Sequence, residues 1–523
     1  MAGNVKAIRV GANSSKNKDL FDSTAHLKNT QTDELVIALC GPIGSPHHIV
    51  ADILKKRLEN QFGYDECKVL RLSNYIKEHS DHDYDKDDRS EFEITKQYIK
   101  DGDDLREQYG CGVLAELAIS DISYEREAHR SKSGDQGHKP RRYCHIIDSV
   151  KNQEELDVLR LVYGDMLYFI GVFSPLSVRE KNLERKGQGM NLGEIHSLID
   201  QDSGEEFEHG QTVRDTFPQS DLFLRIDKPT EAQIEKKIGR FLELMLGAKI
   251  HTPTTAETAM YLADTAASNS ACLSRQVGAS ITDHEGEVLA VGWNDVPKPF
   301  GGLYMADLEN DPISERDHRC WNKEGGGACS NDEQKLSFAD HLIKDVLKFV
   351  EKGREEEVKG LLLKNPKLRG LIEFSRSVHA EMHAIINAGH SAGSRIKGGK
   401  LYCTTYPCHS CARHIVAAGI SEVYYIEPYR KSLATKLHDD AITEDEKDLN
   451  KVRIIPFEGV APSRYSAIFR VKPDSRKVDG KIHQVDINRI KPKLSRSIEA
   501  MPTLESIVVK GLKEKQLIPS EED

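Results

Sequence analysis

The sequence predicts an α/β protein with two sheets, and two observations lead to this fold class. Strand-length apolar runs alternate with helical patterns along the first half, which predicts a parallel sheet covered by helices on both faces. The second half continues from a helix and a β-hairpin into alternating helices and strands, which predicts an αβα domain. A chain of 523 residues is too long for one core. We therefore expect a flexible arm (1–33), two domains (34–248 and 249–470, the second with an insertion at about 298–371) and a tail (471–523).

Composition limits the possible partners and the compartment. The chain has 73 basic and 84 acidic residues, a net charge of −11, which argues against a broad nucleic-acid surface. No apolar run approaches the roughly 20 residues that cross a bilayer, so no membrane association is expected. Because no secretory segment follows Met1, we expect a cytoplasmic protein whose ten cysteines are reduced and available to metals.

The predicted first strand, Leu35–Cys40, leads into a glycine-containing turn and an amphipathic helix. Strand, glycine turn and helix are the context of a phosphate-binding loop, and Gly41, Gly44 and Ser45 are its candidate residues. Proline and histidine stand where that motif has its second glycine and its lysine, so ordinary phosphoryl transfer is not expected. The turn is either a degenerate nucleotide-binding loop or a plain connection between strand and helix.

The remaining elements of both halves follow from hydrophobic periodicity. In the first half we predict strands at 144–148, 166–173 and 222–226, and helices at 49–58, 154–162, 177–185 and 234–246. After a boundary at 247–253, we predict a helix capped by Thr254 or Thr255, a hairpin over 274–294, helices at 378–388, 408–419, 431–438 and 463–469, strands at 400–405, 422–427 and 451–457, and an apolar helical patch at 504–512.

A candidate zinc site lies in the second half. His379, Cys408 and Cys411 supply one nitrogen and two sulfur ligands, which leaves the fourth position of a catalytic zinc open. The cysteine pair begins a predicted helix, whose dipole favours thiolates. Glu381, two residues after the histidine, can transfer protons as a general acid and base. H-x-E combined with P-C-x-x-C is the pattern of zinc enzymes that deaminate nucleobases, so Zn²⁺ is the predicted cofactor.

Other metal arrangements compete with this one. His383 is four residues after the first ligand, but the zinc-protease pattern needs glutamate directly after the first histidine. We therefore assign His383 either to packing or to a contact that supports the ligands. A structural zinc would need a fourth ligand, and His409 is awkwardly placed inside the cysteine pair. A second cluster is either a structural zinc site or a set of free thiols: His318, Cys320, Cys329 and His341.

The first half resembles nucleoside-monophosphate kinases. The resemblance covers roughly 34–246 and is carried by Ile147–Val150, Arg179, Arg185–Gly187 and Gln211–Phe217. It implies that Arg179, Arg185 and Arg214 face phosphates. Each arginine alone is better explained as a solvated charge on a helix face.

The second half resembles deoxycytidylate deaminases of the cytidine-deaminase superfamily. The matching segments are Ser274–Arg275, Val277–Ala279, Gly292–Pro297, the helix that begins at His379, and Tyr402–Cys408. The resemblance implies that Asn294 contacts the sugar and phosphate of a free nucleotide, and Arg275 is the second candidate substrate-binding residue. Asn294 is also explained as a turn residue after a strand.

Nearly the whole chain resembles the bacterial anti-phage dCTP deaminases. This implies deamination of dCTP, and of dCMP, which depletes the pool for phage DNA synthesis. It further implies a regulatory N-terminal half, a homo-oligomer and, in some members, inhibition by a small RNA. One alternative is a deaminase that edits RNA or single-stranded DNA, but the net charge and 7% aromatic content argue against a basic stacking groove. Another is a nucleotide-responsive toxin or sensor in which the first half is primary.

Overall fold

The structure is a computed structural model of the chain. The residues that it describes are 27–28, 30–84, 89–133, 141–186, 190–202, 212–227, 230–306, 317–323, 327–346, 353–365, 368, 374–428, 432–471, 476–483 and 486–519. Most of the predicted arm, part of the predicted insertion and the last residues of the predicted tail lie outside this part of the chain.

The first sheet has six strands, in the order β12-β5-β4-β1-β3-β2. The strands are β1 (Leu35–Cys40), β2 (Glu66–Arg71), β3 (Tyr143–Asp148), β4 (Leu167–Phe173), β5 (Leu222–Arg225) and β12 (Gly459–Val460). The first five pair in parallel, whereas β12 adds antiparallel to β5 at the edge. Every residue of β1 and β4 is buried, as expected for strands covered on both faces.

Nine helices accompany this sheet among the described residues. They are α1 (His47–Phe62), α2 (Leu72–His79), α3 (Glu91–Tyr109), α4 (Val113–Ser133), α5 (Gln153–Tyr163), α6 (Leu176–Lys186), α7 (Leu192–Asp202), α8 (Val213–Thr216) and α9 (Glu231–Leu246). Helix α1 ends where Gly63 adopts a left-handed conformation (φ 62°), a conformation that glycine adopts without steric cost.

The second sheet has six strands in the order β10-β11-β9-β8-β6-β7. These are β6 (Gly278–Thr282), β7 (Val288–Trp293), β8 (Lys400–Thr405), β9 (Glu422–Glu427), β10 (Ile442–Thr443) and β11 (Val452–Pro456). Strand β6 is antiparallel to both neighbours, and β8, β9, β11 and β10 are parallel. Among the described residues from 249 to 470, the helices are α10 (Thr255–Ala267), α11 (Ser330–Val346), α12 (Glu355–Lys364), α13 (Ala380–Ala392), α14 (His409–Ala418), α15 (Ala434–Leu437) and α16 (Pro462–Phe469).

A buried carboxylate joins the two halves. Thr254 caps α10 by accepting a hydrogen bond from the Glu257 N–H, and the Glu257 carboxylate accepts the Thr254 N–H in return. The same carboxylate accepts two bonds from Arg240 on α9, at 2.9 and 2.7 Å, and the Val460 N–H of β12 at 3.0 Å. Burial raises the pKa of Glu257, but these bonds outweigh burial and hold it below its usual value.

The C-terminal segment folds back onto the first half. After the short hairpin β13 (Lys477–Val478) and β14 (Lys481–Ile482), helix α17 (Met501–Glu514) packs on α4 and contributes to the core beneath the first sheet. Arg126 of α4 donates two bonds to Glu505 of α17, both 3.0 Å long, and one of 2.6 Å to Glu34. All three side chains are buried, and Arg141 also donates to Glu34. The apolar patch predicted at 504–512 therefore docks on the body of the protein.

The α/β fold class with two sheets is confirmed. The expectation of a purely parallel first sheet is wrong at one edge, because β12 comes from the C-terminal half and runs antiparallel. Strand β2 was not predicted, since its polar residues alternate with buried ones and form no apolar run. Within the described part of the chain, the structure shows no helix with the length and apolarity of a membrane span.

Candidate active site

Two helix N-termini form the centre of the candidate site. His379 occupies the position before the first turn of α13, and Cys408 occupies the same position on α14. Strand β8 leads into the loop before Cys408, so the central strands of the sheet set the position of the cysteine pair. The Cys411 N–H donates to the Cys408 sulfur at 3.4 Å, which orients the first thiol at the helix end.

The predicted ligands converge in space. His379 Nδ1 lies 3.2 Å from the Cys411 sulfur and 3.4 Å from the Cys408 sulfur. All three donor atoms are within 4.8 Å of one another, and among the described residues this is the one group of three or more such side chains that converges in this way. A tetrahedral zinc with ordinary bond lengths of about 2.3 Å to sulfur and about 2.0 Å to nitrogen places these atoms about 3.5 Å apart. The donor set therefore fits zinc.

The protonation of the three candidate ligands is coupled to metal binding. A hydrogen bond from the Cys411 thiol, together with the neighbouring His379, lowers the pKa of Cys408 to about 4. The hydrogen bond with Cys408 raises the pKa of His379 to about 8, and burial raises that of Cys411. Since zinc binds thiolates and neutral imidazole, metal binding releases protons from this cluster.

Glu381 lies in the first turn of α13 and is 4% exposed. Burial raises the pKa of its carboxyl above the usual value. A buried carboxyl with a raised pKa is suited to both accepting and donating a proton near neutral pH.

The strand behind the site approaches α13 very closely. A Cβ at Gly292 of β7 would lie 2.3 Å from the Ala384 nitrogen and 2.5 Å from the Ala380 oxygen, so only glycine fits there. Next to it, the Trp293 N–H donates to His383 Nδ1 at 3.2 Å. His383 is buried in this contact with β7 and does not join the metal-binding group.

The candidate substrate-binding segment runs beside the metal site. The Val378 N–H, adjacent to the histidine ligand, donates to the Asp295 carbonyl at 2.9 Å. Asn294 is 8% exposed; its Oδ1 accepts the Val277 N–H at 2.7 Å and its Nδ2 donates to the Arg275 carbonyl at 2.9 Å. The Arg275 side chain is half exposed and lies 3.5 Å from Glu427. The Asn294 amide thus shapes the loop that carries Arg275.

The predicted phosphate loop lies at the carboxyl edge of the first sheet. In this turn Gly44 has φ 84°, and Ser45 is buried. The Ile43 N–H donates to Asp202 Oδ2 at 2.7 Å, and Lys151 pairs with the other oxygen of that carboxylate. The Asp202 carboxylate therefore occupies a backbone N–H that a phosphate would otherwise bind. The sequence did not indicate Asp202, because this residue ends helix α7, far along the chain from the turn.

The second predicted cluster does not assemble. The Cys320 sulfur lies 3.6 Å from the Ser330 hydroxyl, and the Cys329 sulfur lies 3.6 Å from the Ser274 hydroxyl. The His318 ring packs edge-on against Tyr304. Within the described residues, these side chains do not form a group of three metal donors.

The fold and the site together define a class: an αβα zinc domain with one histidine and two cysteine ligands and a buried glutamate beside them. Residues 253–427 match the family model described as "Cytidine and deoxycytidylate deaminase zinc-binding region". The C-terminal part of the chain therefore contains a domain of the cytidine and deoxycytidylate deaminase family, and zinc is its metal.

The chain is similar to known proteins over limited lengths. The chain is 36% identical over 80 residues to ComE operon protein 2 of Bacillus subtilis, covering 15% of this chain and 42% of that protein. It is 27% identical over 179 residues to the deoxycytidylate deaminase of phage T4, covering 34% of this chain and 80% of the phage enzyme. A solved dCMP deaminase from cyanophage S-TIM5, in complex with dCMP and dUMP, is 23% identical over 40% of this chain and 99% of that chain, with a TM-score of 0.23.

Proposed function

We propose that the protein catalyses zinc-dependent hydrolytic deamination of free deoxycytidine nucleotides, dCTP and dCMP, to the uracil nucleotides and ammonia. The observation that carries the proposal is the convergence of His379, Cys408 and Cys411 beside the buried Glu381. The family of the domain and the dCMP deaminase of phage T4 support cytosine deoxynucleotides as substrates.

The residues of the site divide the chemistry between them. Zinc held by His379, Cys408 and Cys411 would supply Lewis acidity, which lowers the pKa of water toward neutrality. Glu381 would accept one proton of the attacking water and deliver it to ring nitrogen N3. It would then carry the proton of the new C4 hydroxyl to the departing amino group as the C4 carbonyl forms. Water and cytosine thereby give uracil and ammonia, and the glutamate returns to its starting state.

The segment that carries Asn294 and Arg275 is the proposed contact with the sugar and phosphate. Support comes from the Val378–Asp295 hydrogen bond, which holds this segment next to the histidine ligand. The half-exposed guanidinium of Arg275 is available to a phosphate if its long 3.5 Å contact with Glu427 opens.

The experiment measures ammonia release by the purified, zinc-loaded protein from dCMP, dCTP, CTP and a cytosine-containing oligonucleotide. We expect release from dCMP and dCTP. Release from the oligonucleotide alone would show an editing enzyme and overturn the proposal.

The substitution Glu381→Gln removes the proton carrier and keeps the size of the side chain. We expect it to reduce deamination by at least about 100-fold, with zinc retained because none of the three ligands changes. A Gln variant that deaminates dCMP at the wild-type rate would exclude this role for Glu381.

We also propose, from the resemblance of the whole chain, that the activity depletes dCTP during phage infection and that the N-terminal half regulates it. Bacteria that express the wild-type protein should lose dCTP on infection and yield fewer plaques, whereas the Glu381→Gln variant should do neither. If both proteins protected the bacteria equally, defence would not depend on deamination.

From the same resemblance, we propose that the protein forms a homo-oligomer and that a small RNA inhibits it. Light scattering of the purified protein measures the first, and sequencing of RNA that copurifies with it tests the second. A monomer would contradict the first proposal, and the absence of copurifying RNA from an inactive preparation would contradict the second.

A further inference from the structure

A cavity of about 690 Å³ lies where the C-terminal segment returns to the body of the protein. One wall is the end of helix α9 with the residues that follow it, from Leu244 to His251. The other walls are the end of α16 and the residues at the two ends of the hairpin β13–β14. None of the three metal ligands lines this cavity, and its volume lies within the range of small-molecule sites.

The polar part of the lining has a single chemical character. Every polar side chain that lines the cavity is basic: Lys249, His251, Arg470, Arg476, His483 and Lys493. Within the described part of the chain, no carboxylate, amide or hydroxyl side chain reaches the lining. Ammonium and guanidinium groups donate hydrogen bonds and accept none. In a chain with a net charge of −11, this concentration of donors favours a ligand whose polar atoms are acceptors.

Half of these basic side chains have a partner within the protein. Lys249 and His251 both pair with the Glu243 carboxylate of α9, and the contact from His251 Nε2 is 2.7 Å long. Lys493 Nζ donates to the Ile468 carbonyl in the last turn of α16. These contacts account for three of the six basic side chains without any ligand.

The other three are exposed and have no side-chain partner among the described residues: Arg470, Arg476 and His483. The helix ends at the cavity do not offset them. A helix C-terminus carries roughly half a negative charge, so α9 and α16 together supply about one, which the single charge of Lys493 balances. Burial and the nearby charge of Arg476 lower the pKa of Lys493, as expected for cations that lie close together. Two arginine charges therefore remain without a counter-ion in this part of the chain.

We propose that the cavity binds a polyphosphate anion, a ligand with two or more linked phosphoryl groups, through Arg470 and Arg476. Phosphate oxygens accept hydrogen bonds and pair with guanidinium in a forked geometry. A monoanion would leave one of the two arginine charges unpaired, whereas pyrophosphate and triphosphate neutralise both. The lining offers the donors of a base or a sugar no carboxylate or amide side chain, so the phosphoryl groups alone make the contacts. This binding is independent of deamination at the zinc site.

The two arginines belong to different stretches of chain. Arg470 follows α16, and Arg476 precedes β13. A bound polyphosphate would therefore join the hairpin to α16. The apolar part of the lining, which includes Phe469 and Ile482, lowers the local dielectric constant and strengthens both ion pairs.

The binding experiment titrates the full-length, zinc-loaded protein with inorganic triphosphate, pyrophosphate and phosphate in a calorimeter at low ionic strength. We expect triphosphate to bind at least tenfold more tightly than phosphate, and its affinity to fall as salt screens the charges. Metal analysis before and after the titration shows whether triphosphate removes zinc. If triphosphate does not bind, or binds no more tightly than phosphate, the proposal fails.

Matched variants locate the binding. Arg470→Gln and Arg476→Gln should each weaken triphosphate binding at least fivefold, and since both side chains are exposed, the fold and the zinc content should not change. The control is Arg489→Gln, at an arginine of the same C-terminal segment that is 88% exposed and does not line the cavity. It should change the affinity by less than twofold. Equal affinities for the three variants would overturn the assignment.

Two further arms separate this cavity from other anion sites and from another class of ligand. Arg179→Gln and Arg275→Gln change the two arginines already considered as phosphate contacts, and both variants should keep the wild-type affinity for triphosphate. A loss of binding in either variant would place the anion elsewhere and overturn the proposal. Octanoate, which has one charge and an apolar chain, should bind more weakly than triphosphate. Tighter binding of octanoate would show a site for an amphiphilic acid instead.

Discussion

A close backbone approach near the metal site, at Gly292, predicts the effect of one added methyl group. Gly292→Ala would place a carbon 2.3 Å from the Ala384 nitrogen and 2.5 Å from the Ala380 oxygen, both in the backbone of α13. Since nonbonded atoms at such a contact need about 3.5 Å, α13 and β7 must separate by roughly 1 Å. The same helix carries Glu381 and follows His379, so this movement displaces two functional groups from the cysteine pair on α14.

We expect a loss of stability of about 1–3 kcal/mol from overpacking and a loss of deamination of about 100-fold from the displacement. Urea denaturation measures the first, ammonia release from dCMP measures the second, and metal analysis reports the zinc content. The matched control is Gly389→Ala, an exposed glycine of α13 whose added Cβ would meet nothing within 4 Å. That variant should be neutral or more stable by about 0.5–1 kcal/mol, because alanine favours the helix. Full zinc content and a wild-type rate in Gly292→Ala would refute the reasoning.

Three further predictions follow from the ligands and the buried charges. Cys408→Ala should lose zinc and activity together in metal analysis, whereas Cys403→Ala, a buried thiol outside the ligand set, should keep its zinc. Glu505→Ala removes one carboxylate from the buried Arg126, and we expect the free energy of unfolding in urea to fall by about 3–5 kcal/mol. The control Glu514→Ala, at an exposed position of the same helix, should lower it by at most about 0.5 kcal/mol. Because the pKa of Glu257 is lowered in the folded protein, its carboxylate stabilises the fold above the unfolded pKa of about 4.3, and this stabilisation is lost as pH falls below that value. The difference in free energy of unfolding between wild type and Glu257→Gln should therefore shrink on acidification. A constant difference would contradict the assignment.

Part of the candidate site could be predicted from the sequence because its geometry is local. His379 and Glu381 are two residues apart at the start of one helix, and the cysteines are three positions apart at the start of another. Side chains this close in sequence at a helix N-terminus lie close together in space, so their spacing alone predicted that they share a metal ion. The distances between the two helices could not be predicted, because they depend on how α13 and α14 pack on the second sheet.

The sequence by itself determined the α/β class and the composition of the candidate zinc site, since apolar runs indicate buried strands and short spacings indicate shared ligands. Only the tertiary structure decided that β12 adds to the edge of the first sheet and that α17 docks on α4 through Arg126 and Glu505. A charged residue in a sequence predicts solvent exposure. Its burial depends on an oppositely charged partner from a distant segment, and only the tertiary structure shows that partner. The same holds for Arg179, whose place in a cavity between the two sheets follows from the packing of the two halves and from no local pattern.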